Sequence, residues 1–287
     1  MTANSAVLIA SISFFRAGKT FSGFFGRFLL VCALMMAGLG MGGCESLGGS
    51  SKSSASTQMA PSPNVLRVGV SADMPPFVYK QDGKLVGLEI DMARQMGKDL
   101  GREVYFIEMD WEDLIPALQA DKIDILMAGM NYTPERNSII SMTTPYMNSG
   151  QMALVLRKNA GNYALAGQIG NTKGKVGAEK GTTGEFLVQS SFPNAELVTF
   201  DSAEKGALAV ADGKVDMLIH DAPTIYWLAG TYQNRGVTPA RPVLTVDQMV
   251  WGVSRDNPEL LQKVNSLVVT WAANGELNRI VRRWVSI

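Results

Sequence analysis

Histidine and cysteine are the scarcest of the reactive side chains in this chain. One histidine, His220, and two cysteines, Cys32 and Cys44, occur among 287 residues. A single histidine gives no support to a histidine-rich metal site or to a conventional Ser-His-Asp triad, so we predict no metal and no catalytic residue. His220 lies at the end of a predicted strand. We interpret it as a residue whose hydrogen-bonding groups are satisfied by its neighbours rather than as a proton shuttle.

The sequence also lacks an excess of charge of either sign. Its 26 basic residues balance its 26 acidic residues and the body of the chain has no basic run, so neither nucleic acid nor an anionic surface is indicated as a partner. There is no P-loop, and no GxGxxG motif follows the first predicted strand, so we predict no cofactor. Hydrophobic residues make up 46% of the chain, which is ample for a sizeable core in one or two domains. This composition favours a small-molecule or protein partner.

The N-terminal segment has the composition of a secretion signal. Basic residues at Arg16, Lys19 and Arg27 precede an apolar run over residues 28–40, which is too short for a comfortable membrane span. We predict a signal peptide over residues 1–43. A buried structural helix is the alternative.

The apolar run leads into the sequence MGGC, which ends at Cys44. Small residues before a cysteine resemble a bacterial lipobox, in which signal peptidase cuts before the cysteine and the cysteine is acylated. Residues 44–64 are rich in Ser and Gly and lack apolar periodicity, as in a flexible linker. We therefore predict that Cys44 is lipidated and that the linker tethers the protein to a membrane. Since Cys32 would leave with the signal, no disulfide is predicted, and a location outside the cytoplasm is inferred from the signal alone.

Strands and helices alternate along the body of the chain. Residues 66–70 have the pattern of a strand, Asp82-Gly83 is a strong hairpin turn, and residues 88–100 form an amphipathic pattern that Gly101 ends. Short strands and helices begin again after residue 151, which implies a second α/β lobe. Further strands are predicted near residues 105–108, 123–128, 152–157, 175–177, 197–199, 216–220 and 249–253, and helices near 111–118, 185–190, 202–211, 258–273 and 277–285.

The resulting prediction is an α/β protein of two lobes joined by two crossovers. Residues 65–145 and 252–287 belong to the first lobe, and residues 151–246 belong to the second. The crossovers are residues 146–150 and 247–251. Two crossings make a hinge, which is the geometry for closing a cleft on a ligand.

An arginine marks the candidate site in the first lobe. The strand pattern over residues 123–128 ends in Gly129-Met130-Asn131, and Thr133-Pro134 then predicts a helix start with Thr133 as N-cap. Arg136 lies in the first turn of that helix, where the helix dipole disfavours a cation, so an anion has reason to bind it. Its planar fork suits a carboxylate. The alternative is a surface arginine paired with Glu135 or Asp124.

The stretch IDILMAGMNYTPER resembles the signature region of the extracellular solute-binding proteins of family 3, the amino-acid-binding components of ABC importers. The resemblance implies that Arg136 clamps the α-carboxylate of a ligand and that Gly129 and Asn131 line the site. The residue at position 131 is usually Ser or Thr in that family and hydrogen-bonds the ligand. Asn131 departs from this habit because it is larger, although it can still donate.

The same resemblance assigns roles to residues elsewhere in the chain. It places Met74 and Trp111 where family members sandwich the ligand, although core packing is an alternative for both. The GTT sequence before a predicted helix would let Thr183 help to bind the carboxylate, whereas a plain N-cap is the alternative. Asp221 matches the aspartate that pairs with the ammonium of the ligand, and helix capping is a sufficient alternative reason for it. Glu179 matches a pocket position.

The resemblance extends from about Val65 to the C-terminus and implies a two-lobed, type II periplasmic-binding-protein fold. It implies binding of an amino acid or related small zwitterion in the cleft, for delivery to an ABC permease. We expect a monomer in the periplasm or cell envelope, held to a membrane by its lipid. One alternative is an enzyme similar to cyclohexadienyl dehydratase, which would need a general acid such as Glu179 or Glu185. Another is a lipoprotein that senses its ligand.

Overall fold

A five-stranded sheet forms the centre of each of two α/β lobes in a computed structural model, which describes residues 64–285. The predicted signal peptide, the linker to residue 63 and Cys44 lie outside the described residues. Within the described part of the chain, no helix combines the length and the apolar character that crossing a membrane requires.

The first sheet has the strand order β5-β1-β6-β15-β7. Strands β5, β1 and β6 are parallel, and β15 runs antiparallel to both β6 and β7. Strands β2, β3 and β4 form a separate small sheet. The elements up to the first crossover are β1 (Val65–Val70), β2 (Asp73–Met74), β3 (Val78–Gln81), β4 (Lys84–Val86), α1 (Leu88–Leu100), β5 (Glu103–Glu108), α2 (Leu114–Gln119), β6 (Ile125–Leu126), α3 (Pro134–Ile139) and β7 (Ser141–Met142).

The second sheet has the strand order β11-β10-β12-β9-β13, and here β9 runs antiparallel to both of its neighbours. After it the chain returns to the first lobe and ends in two helices. The remaining elements are β8 (Met147–Ser149), β9 (Gln151–Leu156), α4 (Ala166–Gly170), β10 (Lys175–Glu179), α5 (Thr183–Ser191), β11 (Glu196–Phe200), α6 (Ala203–Ala211), β12 (Met217–Asp221), α7 (Ala222–Thr231), β13 (Val237–Val243), β14 (Asp247–Met249), β15 (Gly252–Val253), α8 (Pro258–Asn274) and α9 (Glu276–Trp284).

Local sequence signals explain where several of these elements start and stop. Asp82 and Gly83 both adopt positive φ, 51° and 73°, as the tight turn between β3 and β4 requires. Gly101 has φ 65° and ends α1 by donating to the carbonyls of Gly97 and Lys98. The hydroxyl of Thr133 accepts the backbone N–H of Arg136 at 3.2 Å, which confirms Thr133 as the N-cap of α3.

One predicted strand is much shorter than expected. The apolar pattern predicts a strand over residues 123–128, but β6 pairs with β1 only at Ile125 and Leu126. Ile123, Met127 and Ala128 are buried although they lie outside the strand, since burial and strand pairing are separate requirements. The chain after Leu126 leaves the sheet and forms the loop that contains Gly129 and Asn131.

The core follows the alternation of side chains along the strands of the second sheet. On β9, Met152 and Leu154 pack against helices α6 and α7, whereas Ala153 and Val155 pack on the opposite face, where α5 lies. Because both faces are covered, this strand is apolar at consecutive positions. Its first residue, Gln151, is the buried polar exception.

Strands β8 and β14 link the two lobes. They pair antiparallel, with Met147 opposite Met249 and Ser149 opposite Asp247. Both strands lie within the predicted crossovers, residues 146–150 and 247–251. The exact lobe and crossover boundaries stay predictions.

Candidate ligand site

Arg136 on α3 of the first lobe reaches the second lobe. Its Nη1 donates to the carbonyl of Asn131 and its Nη2 donates to the carbonyl of Gly181, each at 3.0 Å. Burial lowers the pKa of Arg136. Among the described residues no ion pair joins Arg136 to Glu135 or Asp124, and Asp124 instead binds Arg67 at 2.8 Å. The simple surface pairing expected as the alternative for Arg136 is therefore wrong.

Asp221 ends β12 at the facing edge of the second lobe. It occupies the N-cap position of α7, but its side chain makes no capping hydrogen bond. Its Oδ1 instead accepts Nδ2 of Asn131 at 2.7 Å and Nε2 of Gln151 at 2.8 Å. Capping therefore does not explain this aspartate. Burial raises the pKa of Asp221, whereas His220, Asn131 and Arg136 oppose that rise.

Thr183 is the first residue of α5, and the N-cap of that helix is its neighbour Thr182. The hydroxyl of Thr183 accepts Nδ2 of Asn131 at 3.0 Å and Nε2 of Gln151 at 3.1 Å. The predicted capping role thus belongs to Thr182, and the hydroxyl of Thr183 is directed at the same two amides that bind Asp221.

The two amides leave their oxygens unused. Asn131 Oδ1 and Gln151 Oε1 are buried and have no hydrogen-bond partner among the described residues. Nε2 of Gln151 also lies 3.3 Å from Oδ2 of Asp247, which is on the second crossover. Buried acceptors are rarely left unpaired, so these oxygens can receive a donor group from a ligand.

Sequence reasoning missed Gln151 and Asp247. A signal was present for Gln151, which is the one polar residue of the strand sequence QMALVL. No local signal distinguishes Asp247, because its contact with Gln151 joins residues 96 positions apart.

Two cavities lie between the lobes, because residues of both lobes line each of them. The smaller, of about 470 Å³, is lined by several members of this polar network, and the larger, of about 580 Å³, has acidic and aromatic walls. The smaller cavity is lined by residues that include Arg136, Thr183, Gln151, Asp247, Tyr132 and Phe186. The larger is lined by residues that include Asp73, Glu108, Asp110, Glu204, Tyr79 and Trp227.

Residues 66–287 match the family model of the bacterial extracellular solute-binding proteins, family 3. The chain belongs to this family. Its fold is the type II periplasmic-binding-protein fold, and its solved neighbours share that fold. Members of this family are extracellular solute-binding proteins of bacteria.

Three proteins are similar to this chain over about three quarters of its length. ABC transporter arginine-binding protein 1 of Escherichia coli (strain K12) is 29% identical over 76% of this chain and 90% of its own length. The structure of an ancestral arginine-binding protein bound to arginine is 31% identical, with a TM-score of 0.71, over 77% of this chain and 98% of that one. The ancestral amino acid-binding protein AncCDT-1, a precursor of cyclohexadienyl dehydratase, is 32% identical, with a TM-score of 0.71, over 78% and 96%.

The other residues expected at the solute site lie in different surroundings. Trp111 donates from Nε1 to the carbonyl of Gly181 at 3.1 Å, and the guanidinium carbon of Arg136 lies 5.2 Å from the centre of its ring. Gly129 has φ 71° and donates its N–H to Oε2 of Glu89 at 2.7 Å. Trp111 thus lies beside Arg136, whereas the N–H of Gly129 is bound to Glu89 inside the first lobe.

The side chains of Met74 and Glu179 make no direct hydrogen bond to this network among the described residues. Met74 is 1% exposed and lines neither cavity, as expected of a core residue. The carboxylate of Glu179 accepts the backbone N–H of Ala203 at 2.8 Å and lies 3.2 Å from Nε2 of His220. The other ring nitrogen of His220 accepts the N–H of Asp221 at 2.8 Å, so His220 is satisfied by its neighbours, as predicted.

Proposed function

We propose that this solute-binding protein binds an amino acid in the cleft between its lobes and delivers it to an ABC importer. The observation that carries the proposal is the placement of two opposite charges, one in each lobe, neither of which has an ion-pair partner of opposite permanent charge among the described residues. Arg136 of the first lobe has no ion-pair partner among the described residues, and Asp221 of the second is held by the neutral amides of Asn131 and Gln151. A zwitterion supplies the opposite charge to both.

The hydrogen-bonding groups around each charge fit the two ends of such a ligand. A carboxylate can accept two parallel bonds from the guanidinium of Arg136, and the hydroxyl of Thr183 can add a third. An ammonium has three donors, and Asp221 with the unpaired oxygens of Asn131 and Gln151 offers acceptors for them. The ammonium would replace the side-chain nitrogens of Asn131 and Gln151 as the donor to Asp221.

A cationic side chain on the ligand is supported by the larger cavity and by the relatives. Four carboxylates, from Asp73, Glu108, Asp110 and Glu204, line that cavity with one lysine, Lys80. Lys80 pairs with Glu108 at 2.7 Å, so the three other carboxylates give the cavity a net negative charge. The rings of Tyr79 and Trp227 lie 5.6 Å apart at the same wall and suit an aliphatic or guanidinium surface. Two of the relatives are named for arginine.

The test is calorimetric titration with L-arginine and with analogues that lack one charged end. Agmatine lacks the carboxylate and 5-guanidinopentanoate lacks the α-ammonium. We expect L-arginine to bind and each analogue to bind more weakly by roughly 30-fold or more, because each leaves one charge of the protein, on Arg136 or on Asp221, unpaired in the cleft. L-lysine should bind and L-glutamate should not. Binding of both analogues at the affinity of L-arginine would refute the pairing of Arg136 and Asp221 with the two ends.

We further propose that the protein has no catalytic activity, although one relative is a precursor of a dehydratase. A dehydratase needs a carboxylic acid that is free to donate a proton. Glu179 is engaged by Ala203 and His220, and Glu185 accepts the N–H of Gly181 at 2.7 Å. Incubation with prephenate and with arogenate should therefore give no product. Turnover of either compound would make the chain an enzyme.

The proposal also includes attachment to a membrane through lipidated Cys44, a monomeric state and transport rather than sensing. Gel filtration should give the mass of one chain. A permease gene beside this one would favour transport, and a sensor gene in its place would favour the alternative.

A further inference from the structure

Glu89 is a carboxylate buried inside the first lobe. It is the second residue of α1 and is 0% exposed, and its surroundings are mainly the apolar core of that lobe. No lysine, arginine or histidine forms an ion pair with it among residues 64–285. A buried carboxylate without a cation is costly unless hydrogen-bond donors surround it.

Three donors meet this carboxylate, and they come from three separate segments. Oε2 accepts the backbone N–H of Gly129 at 2.7 Å. Oε1 accepts the hydroxyl of Tyr146 at 2.6 Å and Nε1 of Trp251 at 3.0 Å. Tyr146 lies in the first predicted crossover and Trp251 lies in the second, whereas Gly129 begins the loop that leads to Asn131.

The backbone joins the same three segments around Glu89. Val250 donates its N–H to the carbonyl of Met130 at 2.9 Å, and Tyr146 donates to the carbonyl of Met249 at 3.0 Å. The rings of Tyr146 and Trp251 stack with centres 5.0 Å apart. A change of backbone angle in either crossover therefore reaches the loop at residues 129–131 through one packed unit.

We propose that Glu89 is a positioning residue, which couples the loop at residues 129–131 to both crossovers so that the loop holds its ligand-binding geometry only while the crossovers hold theirs. The part of this inference that concerns affinity rests on the proposed function. The part that concerns coupling does not, because it can be measured without a ligand.

Protonation of Glu89 should weaken this coupling. The N–H of Gly129 and Nε1–H of Trp251 can only donate. A protonated carboxyl of Glu89 must donate its own proton, and among its three partners only the Tyr146 hydroxyl can accept it. Burial raises the pKa of Glu89 to about 7, against the hydrogen bonds from Tyr146, Gly129 and Trp251. Its nearest titratable neighbour is Tyr146, on which the charge of Asp221 also acts. The relevant change in protonation therefore occurs near neutral pH.

The first experiment is hydrogen–deuterium exchange of the full chain without ligand. In Glu89→Gln we expect faster exchange at Gly129 and also at the backbone amides of residues 146–150 and 247–251, by roughly tenfold. Asp91→Asn is the matched control. Asp91 lies in the same turn of α1, but its carboxylate accepts from Arg283 and Trp284 and not from the crossovers. Faster exchange confined to Gly129, or equal exchange in both variants, would overturn the coupling.

The second experiment measures the affinity for L-arginine between pH 6 and pH 8. The wild type should bind more weakly at pH 6 by about threefold or more, and Glu89→Gln should bind weakly at both values. Asp91→Asn must keep the wild-type profile, because it removes a carboxylate from the same helix that contacts Arg283 and Trp284 and not the site. A profile that persists in Glu89→Gln or disappears in Asp91→Asn would overturn the role of Glu89 in affinity. Failure of the wild type to bind L-arginine would instead count against the proposed ligand, and the exchange experiment would still decide the coupling.

Discussion

The side-chain amide of Asn131 in the first lobe donates to the carboxylate of Asp221 in the second lobe across 2.7 Å. The contact joins two residues that are 90 positions apart. It lies where the Asp221 carboxylate of the second lobe faces the loop at residues 129–131 of the first lobe. Lys180 and Glu112 form an ion pair between the lobes at 3.0 Å, and Trp111 donates to Gly181. The described arrangement is therefore one in which the lobes touch.

Replacing Arg136 tests the grip on the ligand carboxylate. Arg136→Ala removes a charge-assisted bond and leaves the carboxylate unpaired in a closed cleft, at a cost of about 2 to 5 kcal/mol. Calorimetry should then show L-arginine binding weakened by roughly 30-fold or more. Arg94→Ala is the control, because Arg94 is an exposed arginine of the same lobe. Equal affinities in the two variants would remove Arg136 from the site.

Asp221→Asn tests the grip on the ammonium. The substitution keeps the shape of the side chain but removes its charge, so L-arginine should lose roughly 30-fold or more in affinity. The binding of 5-guanidinopentanoate should change by less than about threefold, because that ligand has no ammonium to lose a partner. A variant that weakens both ligands alike would show that Asp221 stabilises the site without contacting the ammonium.

Closure of the cleft is the third prediction. If β8 and β14 form a hinge, the ligand-free protein in solution should sample a more open form than the arrangement described above. Small-angle scattering should then give a smaller radius of gyration when L-arginine is added at saturation. Arg136→Ala at the same ligand concentration serves as the control and should show less compaction. An unchanged profile for the wild type at saturation would argue against the hinge.

The buried carboxylate of Glu89 should make stability depend on pH. Its pKa is raised from 4.5 to about 7, so its contribution to stability is fully present below pH 4.5 and is lost as pH rises through 7. The size of this term is about 3 kcal/mol, from a shift of a few pKa units. The pKa of His220 is raised too, despite the burial that lowers it, because Glu179 and Asp221 oppose that effect. Both groups therefore favour the folded state at lower pH.

Urea unfolding between pH 5.5 and pH 8 measures this dependence. The free energy of unfolding of the wild type should be larger at pH 5.5, and in Glu89→Gln the difference between the two pH values should shrink by about 2 kcal/mol, the part of the Glu89 term that falls in this window. The slope attributable to His220 should remain in that variant. If Glu89→Gln retains the full wild-type dependence, Glu89 does not titrate in this range.

Lipidation of Cys44 is the last prediction. Cys44→Ser removes the thiol that would be acylated, so the protein should move from the membrane fraction to the soluble fraction of the cell envelope. Cys32→Ser is the matched control, because Cys32 lies in the predicted signal peptide, and its product should stay with the membrane. Membrane retention of Cys44→Ser would refute the lipoprotein interpretation.

Local patterns in the sequence were sufficient for most of the elements. The Asp82-Gly83 turn, the end of α1 at Gly101 and the Thr133 cap each depend on residues within a few positions, and the structure confirms all three. The motif around Arg136 was also sufficient to predict the family, since a family motif is a run of adjacent residues.

Tertiary structure decided what the buried polar groups contact. Glu179 matches a pocket position in the sequence, yet it is held by His220, which is 41 positions away. The two donors from Tyr146 and Trp251 reach Glu89 over separations of 57 and 162 positions. Gln151 and Asp247 likewise meet only because the two crossovers lie side by side. The sequence alone determined the order of the elements and the charges available to a ligand, because short-range propensities and composition control both. Only the packing of the lobes determined which of those charges pair with one another and which are left for a ligand, because a buried polar group takes its partner from whatever segment the fold brings within about 3 Å.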